Sequence, residues 1–198
     1  MKQLLLSVLA LLATVNLIAQ DDDRTDSQKR METFATSNKH EVSLDITSIL
    51  AIPAFSPRYE YILGRYSGVG ADLFISLEDD DLDFSDYEKF SLTPYYRQYF
   101  FSKEDYGAKG FYAEGFVKFY TFDGIQINEG PGGTTSSEET AFETAIGAGI
   151  GWKWVSDSGF LVDLGVGVGR NLGFVKDDQF RDVIEVQLRG GLNFGWRF

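Results

Sequence analysis

Cysteine is absent from the 198 residues, and histidine occurs once, at His40. Without cysteine there is no disulfide framework, no thiolate metal site and no lipid-attachment residue. With one histidine, a Ser-His-acid relay has a single place to stand. His40 falls at the start of the first expected strand, beside a polar tail and away from the rim such chemistry would need. Proline is confined to four positions, and basic residues are scarce, 18 against 30 acidic, for a formal charge of −12. That balance argues against nucleic acid as a partner and suits surfaces that meet water and divalent cations. Beyond residue 19 no apolar run approaches the roughly 20 residues of a spanning helix. Any membrane insertion must therefore use strands.

The first nineteen residues read as a signal peptide. Lys2 supplies the charged start, Leu4 to Leu12 the apolar core, and cleavage is expected between Ala19 and Gln20. Thr14 and Asn16 interrupt the run and argue against an uncleaved anchor. Residues 20–39 are polar and unpatterned, as in a flexible periplasmic tail; Asp21, Asp22 and Asp23 read there as a solvated cluster.

The most informative stretch is the last, DVIEVQLRGGLNFGWRF (182–198). Ile184, Val186, Leu188, Leu192, Phe194, Trp196 and Phe198 alternate with Glu185, Gln187, Arg189, Gly191, Asn193, Gly195 and Arg197. A period of two over this length is a strand with two unlike faces, well beyond the roughly 5–6 residues of an average strand. The same alternation recurs seven times upstream. It predicts strands over about 40–50, from Arg58, over 69–77, 92–100 and 109–120, through Phe142–Trp154, and over 159–171. Ser67-Gly68 and Asp157-Ser158-Gly159 read as turns, and Pro53 and Pro57 bracket another. Links after the second, fourth and sixth strands are short, whereas Glu78–Glu88, Thr121–Thr140 and the link before the last strand are longer and polar. Short turns at one end and long loops at the other predict an all-β, eight-stranded antiparallel up-and-down transmembrane β-barrel over 40–198.

Periodicity alone does not say which face is outside, and a soluble periplasmic lipocalin-like barrel binding an apolar ligand would turn the same pattern inside out. Three features favour an apolar exterior. Glycines of the last three strands fall mostly on the polar face, as a narrow interior requires. Trp152, Trp154, Trp196, Phe198 and Phe100 gather near one end like an aromatic girdle. The strands are also long. The polar face then lines the lumen with Glu41, Asp45, Glu60, Asp72, Glu114, Glu143, Asp163 and Glu185, and with Arg58, Arg97, Lys118, Lys153, Arg189 and Arg197. Unpaired buried charges are costly, so an ion-paired, closed lumen is expected, with a small channel as the alternative.

Other patterns carry little chemistry. The glycines of GVGVG (165–169) fall every second residue inside a strand, whereas a dinucleotide loop needs its third glycine at a strand-to-helix turn. Asp79, Asp81, Asp83 and Ser85 imitate the start of a calcium loop, but Phe84 and Phe90 occupy the turn-glycine and closing-Glu positions. No catalytic, cofactor or metal residues are assigned, and enzymatic activity is not expected.

YEYILGRYSGVGADLFISL (59–77), LTPYYRQYF, KGFYAEGFVKFY, WKWVSDSGFLVDLGVGVGRN (152–171) and RGGLNFGWRF (189–198) resemble a family of small outer-membrane β-barrels of the Bacteroidota type, similar in plan to OmpA- and OmpX-like barrels. The resemblance implies a location in the cell outer membrane, a monomer surrounded by outer-membrane lipid, and no cofactor. Phe194, Trp196 and Phe198 resemble the C-terminal signal read by the outer-membrane assembly machinery, the one protein partner implied. The family brings no catalytic residues. A structural or surface-interaction role through the acidic outer loops is the expectation.

Overall fold

A computed structural model describes residues 38–51, 53–77, 88–100, 107–130, 133–173 and 185–198, together with Thr25 and Lys29. The expected signal peptide with its Ala19–Gln20 cleavage point, nearly all of the tail, and residues 78–87 of the first acidic loop lie outside the described residues.

Alternation of polar and apolar side chains produces long strands, and these close into one ring. The strands are β1 (His40–Asp45), β2 (Ala54–Phe55), β3 (Pro57–Gly64), β4 (Ser67–Ser76), β5 (Glu88–Tyr99), β6 (Gly110–Gly130), β7 (Gly133–Val155), β8 (Phe160–Asn171) and β9 (Val186–Arg197). A short helix, α1 (Ile46–Ala51), follows β1. β1 pairs with β3, each strand from β3 onward pairs with the next, and β1 meets β9, all antiparallel, so the sheet closes on itself. The two-residue β2 continues the line of β3 across Ser56 and pairs with β4. The architecture is a closed eight-stranded antiparallel β-barrel with almost no helix. Closure removes the exposed edges that an open sheet would have to protect. His40 and Phe198 exchange backbone hydrogen bonds at 3.0 and 2.8 Å, so both ends of the barrel chain lie at one rim.

Three boundaries differ from the sequence expectation. The first strand does not reach Leu50. Asp45 accepts the Thr47 N–H at 2.8 Å and the Ser48 hydroxyl at 2.9 Å. This is an N-cap, and it starts α1 where alternation alone continues the strand. The turn placed at Ser67-Gly68 lies at Arg65-Tyr66, with Gly64 opposite Ser67 across an irregularity in the ladder. The long loop Thr121–Thr140 is largely a two-stranded ribbon, its ladder running from Phe122↔Ala141 to Gly130↔Gly133. The ribbon outruns β8, which ends opposite Ala145, and β5, which begins opposite Phe122.

Side-chain direction follows the pleat. Glu41, Ser43 and Asp45 are buried while Val42 is exposed; Tyr95, Arg97 and Tyr99 are buried while Tyr96 and Phe100 are exposed. Leu164, Val166 and Val168 are each more than half exposed, and Asp163 between them and the rim is 1 % exposed. The polar face is the inside. Apolar closures stand at both ends of that interior: Ile62, Tyr99, Ala108 and Tyr112 toward the chain ends, and Tyr120, Phe122, Ala141 and Ala145 toward the ribbon.

The glycine-rich wall of β7 and β8 makes room for the large residues of β6. A Cβ on Gly151 would come within 2.3 Å of the Tyr112 hydroxyl and 2.5 Å of the Leu164 carbonyl oxygen. Gly115 has nothing within 4 Å of its Cβ position. Gly151→Ala is therefore expected to destabilise the barrel by about 1–3 kcal/mol through overpacking, whereas Gly115→Ala should leave stability nearly unchanged. Urea titration of the two variants checks this, and equal midpoints would contradict the packing described.

Candidate functional site

The pleat directs charged side chains into a ring too narrow to hold water around them, so they must find one another. Register between neighbouring strands supplies the first set of partners. Glu41 stands opposite Arg197, Arg58 opposite Asp72, and Arg97 opposite Glu114. Each pair is bonded: Arg197 Nε to Glu41 at 2.6 Å, Arg58 Nε to Asp72 at 2.5 Å, and Arg97 Nε to Glu114 at 2.9 Å.

Contacts across the lumen join these pairs into one belt. Lys153 of β7 reaches Glu41 at 2.6 Å and Glu60 at 2.9 Å. Arg97 Nη1 bonds Glu60 at 2.9 Å and Asp163 at 2.7 Å, and Arg58 Nη1 bonds Asp163 at 2.8 Å. Arg189 of β9 pairs with both Asp72 and Glu114. Five carboxylates (Glu41, Glu60, Asp72, Glu114, Asp163) thus meet five cations (Arg58, Arg97, Lys153, Arg189, Arg197), and the belt is formally neutral.

Tyrosines complete it. Tyr99 and Tyr95 donate to Glu60 at 2.5 and 3.2 Å, and Tyr112 donates to Asp163 at 2.7 Å. The Arg97 guanidinium carbon lies 4.1 Å from the Tyr112 ring centre and 4.6 Å from that of Tyr95. The rings thereby cover a cation whose Nη2 has no hydrogen-bond partner. Asn193, buried opposite Asp45 and Asp163, also has both amide atoms unbonded.

At the rim near the chain ends, Arg197 donates to the carbonyls of Gly107 and Ala108 at 2.6 and 2.8 Å. Ala108 has φ of 53° and is fully buried. A left-handed conformation is unfavourable for alanine, and the arginine holds that segment over the barrel end. Toward the ribbon, Lys118 pairs with Glu88, and Tyr120 bonds Asn171 and Gln187 at 3.0 Å each. Between this pair and the belt lies a cavity of about 470 Å³.

Of the charged residues assigned to the lumen by alternation, ten form the belt and Lys118 lies beyond it. Asp45 faces inward but its carboxylate caps α1. Glu143 is fully buried and accepts the Thr144 N–H at 2.7 Å. Glu185 is a correction: its side chain is 64 % exposed and pairs with the exposed Arg170, because residue 185 stands at the last rung against β8, where its carbonyl accepts the Asn171 N–H at 2.9 Å, and among the described residues no strand flanks it on the other side. Glu88 and the hydroxyls of Tyr95, Tyr99 and Tyr112 escaped the sequence reading, while Gln187 and Asn193 were read only as polar-face positions of the last strand. Of the three C-terminal aromatics, Trp196 packs edge-on against Phe160 at 5.0 Å, Phe194 stacks on Phe160 at 6.2 Å, and Phe198 stacks on His40 at 6.1 Å. His40 bonds the Tyr59 hydroxyl at 2.7 Å. Among the described residues no group of three or more acidic or histidine side chains is placed to hold a metal ion.

No protein-family model, curated protein or solved structure matches the chain.

The belt makes the consequence of removing its centre calculable. Arg97→Met strips three buried carboxylates of a shared cation and is expected to cost about 3–5 kcal/mol. Arg170→Ala, at the exposed pair, should have no measurable effect. Urea unfolding curves for the two variants decide the point; similar midpoints would show the interior charges to be solvated.

Proposed function

We propose that the chain is an integral outer-membrane β-barrel protein with an ion-paired, closed floor, acting as a structural or surface-interaction protein. The observation that carries this reading is the radial order of the barrel: charges inside, a continuous apolar belt outside. Val42, Tyr59, Val69, Leu92, Phe119, Ile146, Ile150, Leu164 and Val166 all stand exposed on the outer wall. A water-soluble barrel gains nothing from that arrangement, because the driving force for folding is burial of such surface.

Dimensions support the same reading. Along β7 the outward side chains run from Phe142 to Trp154. Twelve residues at about 3.4 Å each, tilted by about 35–45°, give about 30 Å, the thickness of a hydrocarbon core. Trp152, Trp154, Trp196, Phe198, Phe100 and Phe111 are exposed near the rim that carries the chain ends. Aromatic residues prefer the membrane–water boundary, which suits that rim to the periplasmic side and the ribbon to the outside. That no helix is long and apolar enough to cross a membrane says nothing against strands.

The ribbon then becomes the contact surface. Between Asp123 and Thr140 the sequence carries Asp123, Glu129, Glu138 and Glu139 and no lysine or arginine. Asp123 is held at its base by Lys89 and by the Thr140 hydroxyl at 2.6 Å. A protruding acidic ribbon suits a cationic partner or divalent ions. The belt, with every carboxylate engaged, supplies no free acid or base for catalysis, and we read the protein as non-enzymatic. Outer-membrane lipid and the assembly machinery are the partners this reading requires.

Two results are expected. In a carbonate-washed outer-membrane fraction the protein should pellet and change gel mobility on boiling; a soluble band without a shift would overturn the membrane reading. Leu164→Arg, at the middle of the outer belt, should cost about 2–4 kcal/mol of folding free energy in lipid vesicles, and a neutral result would move the belt out of the hydrocarbon.

A further inference from the structure

The wall of the barrel is incomplete at one seam. Strand β1 pairs with β9 only up to Asp45↔Asn193, and then α1 takes its place. Beyond Asn193, among the described residues, β9 has a strand partner on its β8 side alone. On the other lip β2 pairs only with β4. The mutual bonds of His40 and Phe198 set the alternation, so the even residues of β9 turn their peptide groups toward this seam. Leu192 N–H is met there by the Thr47 hydroxyl at 2.9 Å. Gly190 and Leu188 come next.

The cavity beyond the belt reaches this seam. Its lining includes Ser48 of α1, Ser56 between β2 and β3, and Leu188 and Gly190 of β9. Leu188 is 79 % exposed on the outer wall. A residue of the outer wall that also lines the interior cavity marks a lateral mouth. Through Val168 its register leads to Ala148, midway between Phe142 and Trp154 on the apolar belt. About 470 Å³ falls within the roughly 300–1,000 Å³ of ligand pockets.

The lining selects the chemistry. Arg58, Lys118 and Arg189 face Asp45, Asp72 and Glu88. Each cation already holds a carboxylate, so a net anion would bring a charge with no counter-charge left for it. A zwitterion brings none. Arg189 Nε is buried with no hydrogen-bond partner and can donate to a phosphate oxygen. The carboxylates of Asp45 and Glu88 suit the cationic end. Outside the mouth, Leu188 continues the apolar wall for an acyl chain.

We propose that the seam between β9 and α1–β2 is a lateral portal that admits the head group of a zwitterionic single-chain amphiphile into the cavity while its chain stays on the outer wall. This rests on the reading that the outer wall meets lipid. The peptide groups of Gly190 and Leu188 give the portal a second reason, since an open sheet edge at hydrocarbon depth needs polar partners, and a head group seated there supplies them.

The test uses the full chain refolded into lipid vesicles, with lysophosphatidylcholine spin-labelled on its acyl chain as the probe. The wild type should show a motionally restricted spectral component. Ser48→Trp, which fills the mouth, should lose it, and Phe119→Trp, on the far wall, should keep it. Ser56→Trp on the opposite lip serves where Ser48→Trp does not regain the heat-modifiable band. Lysophosphatidic acid should displace the probe poorly, and water-soluble glycerophosphocholine should not displace it. A restricted component that is absent, or the same in all variants, overturns the portal. Displacement by glycerophosphocholine also overturns it, since the site is then one for a free head group. Flotation of the same samples separates the two readings: protein that floats with vesicles but restricts no probe sinks the portal alone, whereas protein that does not float sinks the membrane reading and the portal with it.

Discussion

Arg97 is the group on which the interior depends. Its guanidinium binds Glu60, Glu114 and Asp163, residues of three different strands, and rests against the rings of Tyr95 and Tyr112. An eight-stranded ring is about wide enough to be filled by its own side chains, so a charge placed there has little water to fall back on. The strands must close in the register that brings these groups together, because a neighbouring register would invert every side chain. A well-packed apolar interior of the same volume could be as stable as a buried ion network. Such an interior would leave both faces of every strand apolar and remove the distinction between inside and outside.

Packing follows from the same centre. Tyr112 and Phe116 project from β6 toward β7 and β8, where Gly147, Gly151, Gly165, Gly167 and Gly169 lie against them. The glycines are the complement of large residues on the opposite wall. Tyr112 fills the space they leave and also donates to Asp163, so apolar packing and ion pairing constrain the same ring. The floor of the barrel is consequently the over-determined part of the molecule. Toward the ribbon, among the described residues, the interior is held by the Lys118–Glu88 pair and the bonds among Tyr120, Asn171 and Gln187.

The two halves suit different work. On the reading proposed, a neutral belt with every carboxylate engaged would block passage and anchor the wall, whereas the cavity and the acidic ribbon above it would present surfaces to other molecules. One residue sits at the boundary: Asp45 ends β1 by capping α1, and beyond Asn193 β9 has, among the described residues, a strand partner on its β8 side alone. Had the chain continued as a strand to Leu50, the wall would be complete and the cavity sealed on that side.

How much of this could be read beforehand depends on the range of the interaction concerned. Alternation is local, since successive side chains of a strand point to opposite faces. It was therefore sufficient for the number of long strands and for grouping Arg58, Arg97, Lys153 and Asp163 on one face; the placing of the glycines and aromatics turned that face inward. Pairs on adjacent strands, such as Arg97 with Glu114, were within reach once hairpin register was known. The N-cap at Asp45 was present in the run Asp45-Ile46-Thr47-Ser48 but competed with a clean period of two, and the capping bonds prevailed. Glu185 kept the parity of the lumen and lost its place there because it stands at the end of the β8–β9 ladder, beyond the reach of β1. The ribbon looked like a loop because Gly, Pro, Asp, Asn and Glu, which strands disfavour, recur through it, and only mutual pairing of residues 122–130 with 133–141 extends β6 and β7. From the chain alone one could read which strand residues share a face, because alternation is a local property. Which cation meets which carboxylate across the lumen, and where the wall is left open, the tertiary structure alone decided, because closure of the ring brings together residues as far apart in the chain as Lys153 and Glu41.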